Sequence, residues 1–230
     1  MTAAILAIRP EPGSNATVAA GREAGLAITG FPLFEIRPLA WVAPSPGDVD
    51  GLLIGSANAV RHAGPAFGAF RGKPVHAVGE ATARAARAAG LAVATVGPGH
   101  LQPLVDALPG PLRLLRLTGA EHVPVAPPAG IEIDTRIVYE SAPLPLPLAA
   151  MEHLGGGALV LLHSAAAARH FAAECERLGI PRSGVRLAAL APRIAQAAGE
   201  GWREVRSASA PSERALLALA RDMCHERPSR

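Results

Sequence analysis

The chain has 230 residues, half of them hydrophobic but only 3% aromatic, with a formal charge of +3 and a pI near 9.5. That length suits one large domain or two small ones, with a core built on Ala, Leu and Val. The basic charge is almost all Arg, since Lys73 is the only lysine, and the arginines are scattered rather than set in a stripe. This argues against nucleic-acid binding and for a cleft that takes an anionic small molecule.

In chain order, Met1–Ile8 runs straight into apolar residues without a charged leader, so no signal peptide is expected, and no apolar run reaches the length of a membrane span. Short apolar runs predict strands near 4–8, 26–29, 51–55, 75–78, 92–95, 112–117, 158–162, 186–190 and 203–206. Helices are predicted near 14–24, 58–69, 80–89, 100–107, 165–178, 192–199 and 211–224. Strands alternating with helices imply parallel sheets covered by helices. Gly90 and Gly179 fall where helices should stop, and Ser212 where the last one should be capped. Two segments break the rhythm, Leu33–Leu39 and Ile131–Ser141. Both are extended, both are followed by prolines, and both read as crossings between lobes.

The chain also resembles itself. Leu52-Leu-Ile-Gly-Ser-Ala-Asn-Ala-Val-Arg-His62 aligns with Val160-Leu-Leu-His-Ser-Ala-Ala-Ala-Ala-Arg-His170, matching Ser56 to Ser164. Residues 77–83 align with 189–195, residues 103–105 with 215–217, and residues 5–10 with 114–119. Four matches in one order at nearly constant offset point to two copies of one α/β unit. The expected fold is α/β, with two similar parallel-sheet lobes joined by a two-stranded β connector. Lobe 1 is discontinuous, 1–36 plus 143–230. Lobe 2 is inserted, 45–132, and 37–44 and 133–142 form the connector.

In such sheets the working groups sit where strands end and helices begin. Ser56 and Ser164 occupy that place. Each hydroxyl either caps its helix or joins free N–H groups in binding a carboxylate. Gly79-Glu80-Ala81-Thr82 is similar, with Gly79 allowing close approach and Thr82 in the first helical turn. Gly155-Gly156-Gly157 precedes a strand and is a turn rather than a phosphate loop. No dinucleotide fingerprint, nucleophile elbow or paired-carboxylate pattern occurs. Cys175 and Cys224 match no metal or redox spacing, and the dispersed histidines, His163 and His170 included, suggest no metal site. Tyr139, the single tyrosine, lies in the second crossing segment. It either packs as an ordinary strand residue or presents a neutral phenol as donor or general acid.

Together, several pieces in order resemble the uroporphyrinogen-III synthase family. They are Arg9-Pro10-Glu11-Pro12, Gly51–Arg61, Val78-Gly79-Glu80-Ala81-Thr82-Ala83, Val138-Tyr139-Glu140-Ser141, Leu162-His163-Ser164 and Ala210-Pro211-Ser212. The resemblance covers almost the whole chain, although no single motif in it is specific. It implies two α/β lobes with the active site between them, acting on hydroxymethylbilane, a linear tetrapyrrole rich in carboxylates. The product is uroporphyrinogen III, with the last ring inverted and water lost, and neither metal nor cofactor is expected. Tyr139 becomes the catalytic candidate. Arg9, Ser56, Gly79, Thr82, Ser164 and Arg193 become the substrate-binding candidates. In the second copy Ala191-Pro192-Arg193-Ile194 lacks a hydroxyl matching Thr82, and Arg193 stands as its charged replacement. The expected protein is a cytoplasmic monomer, in at most transient contact with the preceding pathway enzyme, with no nucleic-acid or membrane partner. The competing readings are a non-catalytic two-lobed binder or sensor for an anionic small molecule, and a degenerate synthase domain serving as a regulator.

Overall fold

A computed structural model describes residues 4–225, and the chain divides into two compact units: residues 1–35 with 142–230, and residues 36–141. The chain leaves the first unit along β3 (Phe34–Pro38) and returns along β8 (Ile131–Pro143). The Leu39 amide donates to the Val138 carbonyl, and the Leu144 amide to the Leu33 carbonyl. Both pairs sum to the same register, so the two strands run antiparallel.

The first unit holds β1 (Ile5–Ala7), α1 (Gly13–Glu23), β2 (Ile28–Gly30), α5 (Leu148–Leu154), β9 (Leu159–Leu162), α6 (Ala165–Arg177), β10 (Arg186–Ala189), α7 (Pro192–Ala197), β11 (Glu204–Ser207) and α8 (Glu213–His225). Its sheet has the order β11-β10-β9-β1-β2, and every pairing is parallel. The central strand β9, Leu159-Val-Leu-Leu162, is buried along its whole length because helices cover both faces. Val160 and Leu162 face the core of α5, α6 and α7, around Phe171 and Trp202. Leu159 and Leu161 face the core of α8, around Leu216 and Met223. Strand period alone produces this split.

The second unit holds β4 (Gly51–Ile54), α2 (Ala57–His62), β5 (Val75–Ala77), α3 (Glu80–Ala88), β6 (Val93–Val96), α4 (Leu101–Asp106) and β7 (Leu112–Gly119), with most of β8. Its sheet order is β3-β8-β7-β4-β5-β6. Leaving out β3, the two orders superimpose: β6, β5, β4, β7, β8 against β11, β10, β9, β1, β2. The four sequence matches fall on equivalent elements under this correspondence, so the duplication lies in the fold as well as in the sequence.

Two local expectations need correction. The helix expected over 58–69 stops at His62, and a 3-10 segment, Pro65–Phe70, follows. Gly64 has φ +69°, and Pro65 cannot donate the amide that an unbroken helix needs. The segment after the second crossing, expected only as Pro-rich chain, contains α5. Pro147 is its N-cap residue, and Ala150 and Leu154 are buried on one face. The helix stops hold: Gly90 and Gly179 have φ +79° and +65°, one residue past the caps of α3 and α6. Ser212 Oγ accepts the Ala215 amide at 3.3 Å, so it caps α8.

Candidate functional site

In each unit the candidate residues line the carboxyl ends of neighbouring parallel strands. In the first unit Arg9 follows β1 by two residues, Ser164 follows β9 by two, and Arg193 lies in the first turn of the helix after β10. These strands are adjacent in the sheet, so three distant sequence positions share one edge. In the second unit Ser56 follows β4 by two residues, Gly79 follows β5 by two, and Tyr139 pairs with Gly119 at the end of β7. Here too the strands are neighbours.

Both serines are helix caps. Ser56 Oγ accepts the Asn58 amide at 3.2 Å and Ser164 Oγ accepts the Ala167 amide at 3.1 Å. Each has extended backbone, as an N-cap requires. Ser164 is exposed and Ser56 half-buried. A capping hydroxyl keeps its own proton, so it can still donate to an anion while it accepts from the helix. Capping and binding are therefore compatible at both sites.

Gly79 caps α3 without a side chain and in extended backbone that any residue can adopt. A Cβ there would meet only Gly99 Cα, at 3.9 Å, so the glycine leaves open backbone rather than filling a tight turn. Thr82, in the first turn of α3, is buried. Arg193 is exposed and forms no ion pair among the described residues. It is a cation free to meet an anion.

Arg9 is different. Its Nη1 donates to Glu213 Oε2 at 3.1 Å and lies 3.4 Å from Thr17 Oγ1. Thr17 donates to Glu213 Oε1 at 2.6 Å, and His163 Nε2 sits 3.1 Å from Oε2. Burial raises the Glu213 pKa, but hydrogen bonds from His163 and Thr17, with the charges of His163 and Arg9, outweigh it and hold the carboxyl below its ordinary value. Arg9 is thus already neutralised by an internal carboxylate. The sequence reading did not find Thr17 or Glu213, because they lie on α1 and α8, far apart in the chain, and match no motif. His163 stood out only as part of Leu162-His163-Ser164 and as a histidine without metal spacing.

Tyr139 is half-buried, and its ring packs against the second unit's core. The His62 ring lies 6.3 Å from it, centroid to centroid. The repeat had paired His62 with His170, but the two have different company. His170 Nε2 is 2.7 Å from the Leu144 carbonyl and stands edge-on to Phe34 at 5.2 Å. The duplicated position therefore meets the candidate acid in only one unit.

A hollow at the opposite rim of the second sheet is lined by Asp48, Arg113, Glu132 and Asp134. Its carboxylates would repel an anionic ligand. Among the described residues no group of three or more His, Cys, Asp or Glu side chains is arranged to hold a metal ion, and no helix is long and apolar enough to cross a membrane.

The family model described as uroporphyrinogen-III synthase HemD matches residues 15–218. No curated protein matches. Among solved structures, the chain is similar to the uroporphyrinogen-III synthetase of Helicobacter pylori 26695, with a TM-score of 0.65 at 18% identity over 96% of this chain and 99% of that one. It is also similar to a mutant uroporphyrinogen III synthase from the extremely thermophilic bacterium Thermus thermophilus, with a TM-score of 0.52 at 18% identity over 97% and 100%. At such identity these structures speak for the fold.

Proposed function

The chain belongs to the uroporphyrinogen-III synthase family, and on that premise we propose how its residues carry the family's reaction, the cyclisation of hydroxymethylbilane to uroporphyrinogen III. The observation that carries this reading is the row of hydrogen-bond donors along the carboxyl ends of adjacent strands: Arg193 and Ser164 in one unit, Ser56 and the Gly79 backbone in the other. Such donors suit a substrate whose recognisable feature is a set of carboxylates.

The reaction begins with loss of the terminal hydroxyl. Tyr139 gives its phenolic proton, or a hydrogen bond, to that oxygen, which leaves as water. The resulting azafulvenium ion is electrophilic. The last ring attacks it through its substituted carbon, the spiro intermediate fragments, and reclosure with that ring inverted releases the ring-carbon proton that restores the Tyr139 phenol. The attack needs geometry more than reactive groups, because the flexible chain closes more simply in solution. Holding the carboxylates supplies that geometry. Thr82, buried in the first turn of α3, donates its hydroxyl to substrate there. Arg9 already shares its charge with Glu213 through Nη1, so its role is secondary to that of Arg193, which is unpaired among the described residues. The protein acts in the cytoplasm as a monomer, with any contact to the preceding pathway enzyme transient.

A binder without turnover would share these edges. With hydroxymethylbilane in excess, catalysis yields many equivalents of uroporphyrinogen III per protein. Hydroxymethylbilane that binds yet closes no faster than in solution, without isomer III, would favour the binder.

A further inference from the structure

Tyr139 stands on an irregularity. Along β7 and β8 the register runs residue for residue from Leu112 opposite Ile131 to Thr118 opposite Ile137, then slips so that Gly119 faces Tyr139. The skipped residue, Val138, is fully buried in the core with Leu117 and Ile54. An extra residue of this kind re-aims the side chain that follows it.

Gly119 is itself buried. A Cβ on it would lie 2.7 Å from both Cε2 and Cζ of Tyr139 and 3.0 Å from the phenol oxygen. The hydroxyl end of the ring therefore rests directly over Gly119. The usual reason for a glycine does not apply, because Gly119 is not among the residues with positive φ. Its backbone would accept alanine, and the three atoms nearest to such a Cβ all belong to the Tyr139 ring. The Tyr139 backbone is anchored separately, since its carbonyl accepts the Ala120 amide at 2.9 Å. Crowding at Gly119 would thus move the ring before it moved the strand. The His62 ring, tilted 43°, is a further neighbour. Burial, and then the charge of Arg61, pushes the His62 pKa down, so the phenol has an uncharged imidazole beside it at neutral pH.

We infer that Gly119 is a positioning residue for Tyr139: the space left by its missing side chain is where the phenol is held, with His62 bordering it. The inference rests on the reading of Tyr139 as acid or donor. A fold that needed glycine here only for strand packing would show no link between Gly119 and the phenol.

Because Tyr139 is the only tyrosine, ring-labelled tyrosine gives an NMR signal from this position alone. Gly119→Ala should shift that signal and lower kcat by about tenfold or more, while KM stays within about twofold. Added to Tyr139→Phe, it should lower kcat no further, as two changes acting through one group are not additive. If Gly119→Ala keeps full kcat while Tyr139→Phe is slow, or if the two losses multiply, the inference fails and the reading of Tyr139 survives. If Tyr139→Phe runs at the wild-type rate, both fail. Should Gly119→Ala not fold, His62→Ala decides. A shifted ring signal with kcat lowered about threefold or more, seen only when Tyr139 is present, supports the seat. An unmoved ring and unchanged kcat overturn it.

Discussion

Thr17 donates its hydroxyl to Glu213 at 2.6 Å across 196 positions of sequence, so the first helix and the last are tied at one carboxylate. The same carboxylate takes Arg9 and His163, each at 3.1 Å. Thr17 is completely buried, so losing its 2.6 Å partner leaves its hydroxyl only the long 3.4 Å contacts to Arg9 and His163. Glu213→Ala should therefore destabilise the protein by about 1–3 kcal/mol, the scale of an unsatisfied buried polar group. Urea unfolding at neutral pH measures this, and an unchanged midpoint would contradict it.

Acid should find the same weakness. The Arg177 guanidinium binds Glu174 through two nitrogens at 2.8 Å, and against the opposing effect of burial this bond, with that of the Leu146 amide, pushes the Glu174 carboxyl down to about 2. Glu213 is shifted in the same direction. A carboxyl whose folded pKa is depressed adds stability that is fully present above its unfolded value and is lost as pH falls through the folded one. The melting temperature should hold steady above about pH 5 and fall steadily from there towards pH 2. In Glu174→Gln that fall should be shallower. An identical slope in wild type and variant would remove Glu174 from the account.

Ser164 allows capping and binding to be separated. Aspartate caps a helix about as well as serine, so Ser164→Asp should change stability by no more than about 0.5 kcal/mol. It also places a negative charge where a substrate carboxylate is proposed to sit, and KM should rise by about tenfold or more. Ser164→Ala should show the reverse balance, losing about 1 kcal/mol of stability with a smaller effect on KM. Steady-state kinetics beside thermal melts distinguish the two. A normal KM in Ser164→Asp would leave the serine as a cap alone.

Tyr139→Phe keeps the ring and removes only the hydroxyl. Turnover should slow by roughly ten- to a thousandfold, the scale of a single acid–base group. Substrate affinity should change little, because the carboxylate donors remain. A wild-type rate would take Tyr139 out of the chemistry and leave the positioning of the substrate untouched.

The strands and most helices were legible because the sequence alternates short apolar runs with helical stretches of ordinary length. The duplication was legible because Ser56 and Ser164 must occupy the same cap in both copies. The break after His62 was hidden by Ala57–Phe70 being apolar enough for one helix, although Gly64-Pro65 was its signal. α5 was hidden by the prolines around it. The cluster of Thr17, His163 and Glu213 could not be read at all, since three segments far apart in sequence build it. Nor could the meeting of Gly119 and Tyr139, which depends on a one-residue slip between parallel strands that hydrophobic patterning does not record.

The most direct measurement gives purified protein hydroxymethylbilane and separates the uroporphyrinogen isomers formed. Isomer III, produced faster than the spontaneous closure, is the predicted result. Isomer I alone, at the uncatalysed rate, would contradict the account.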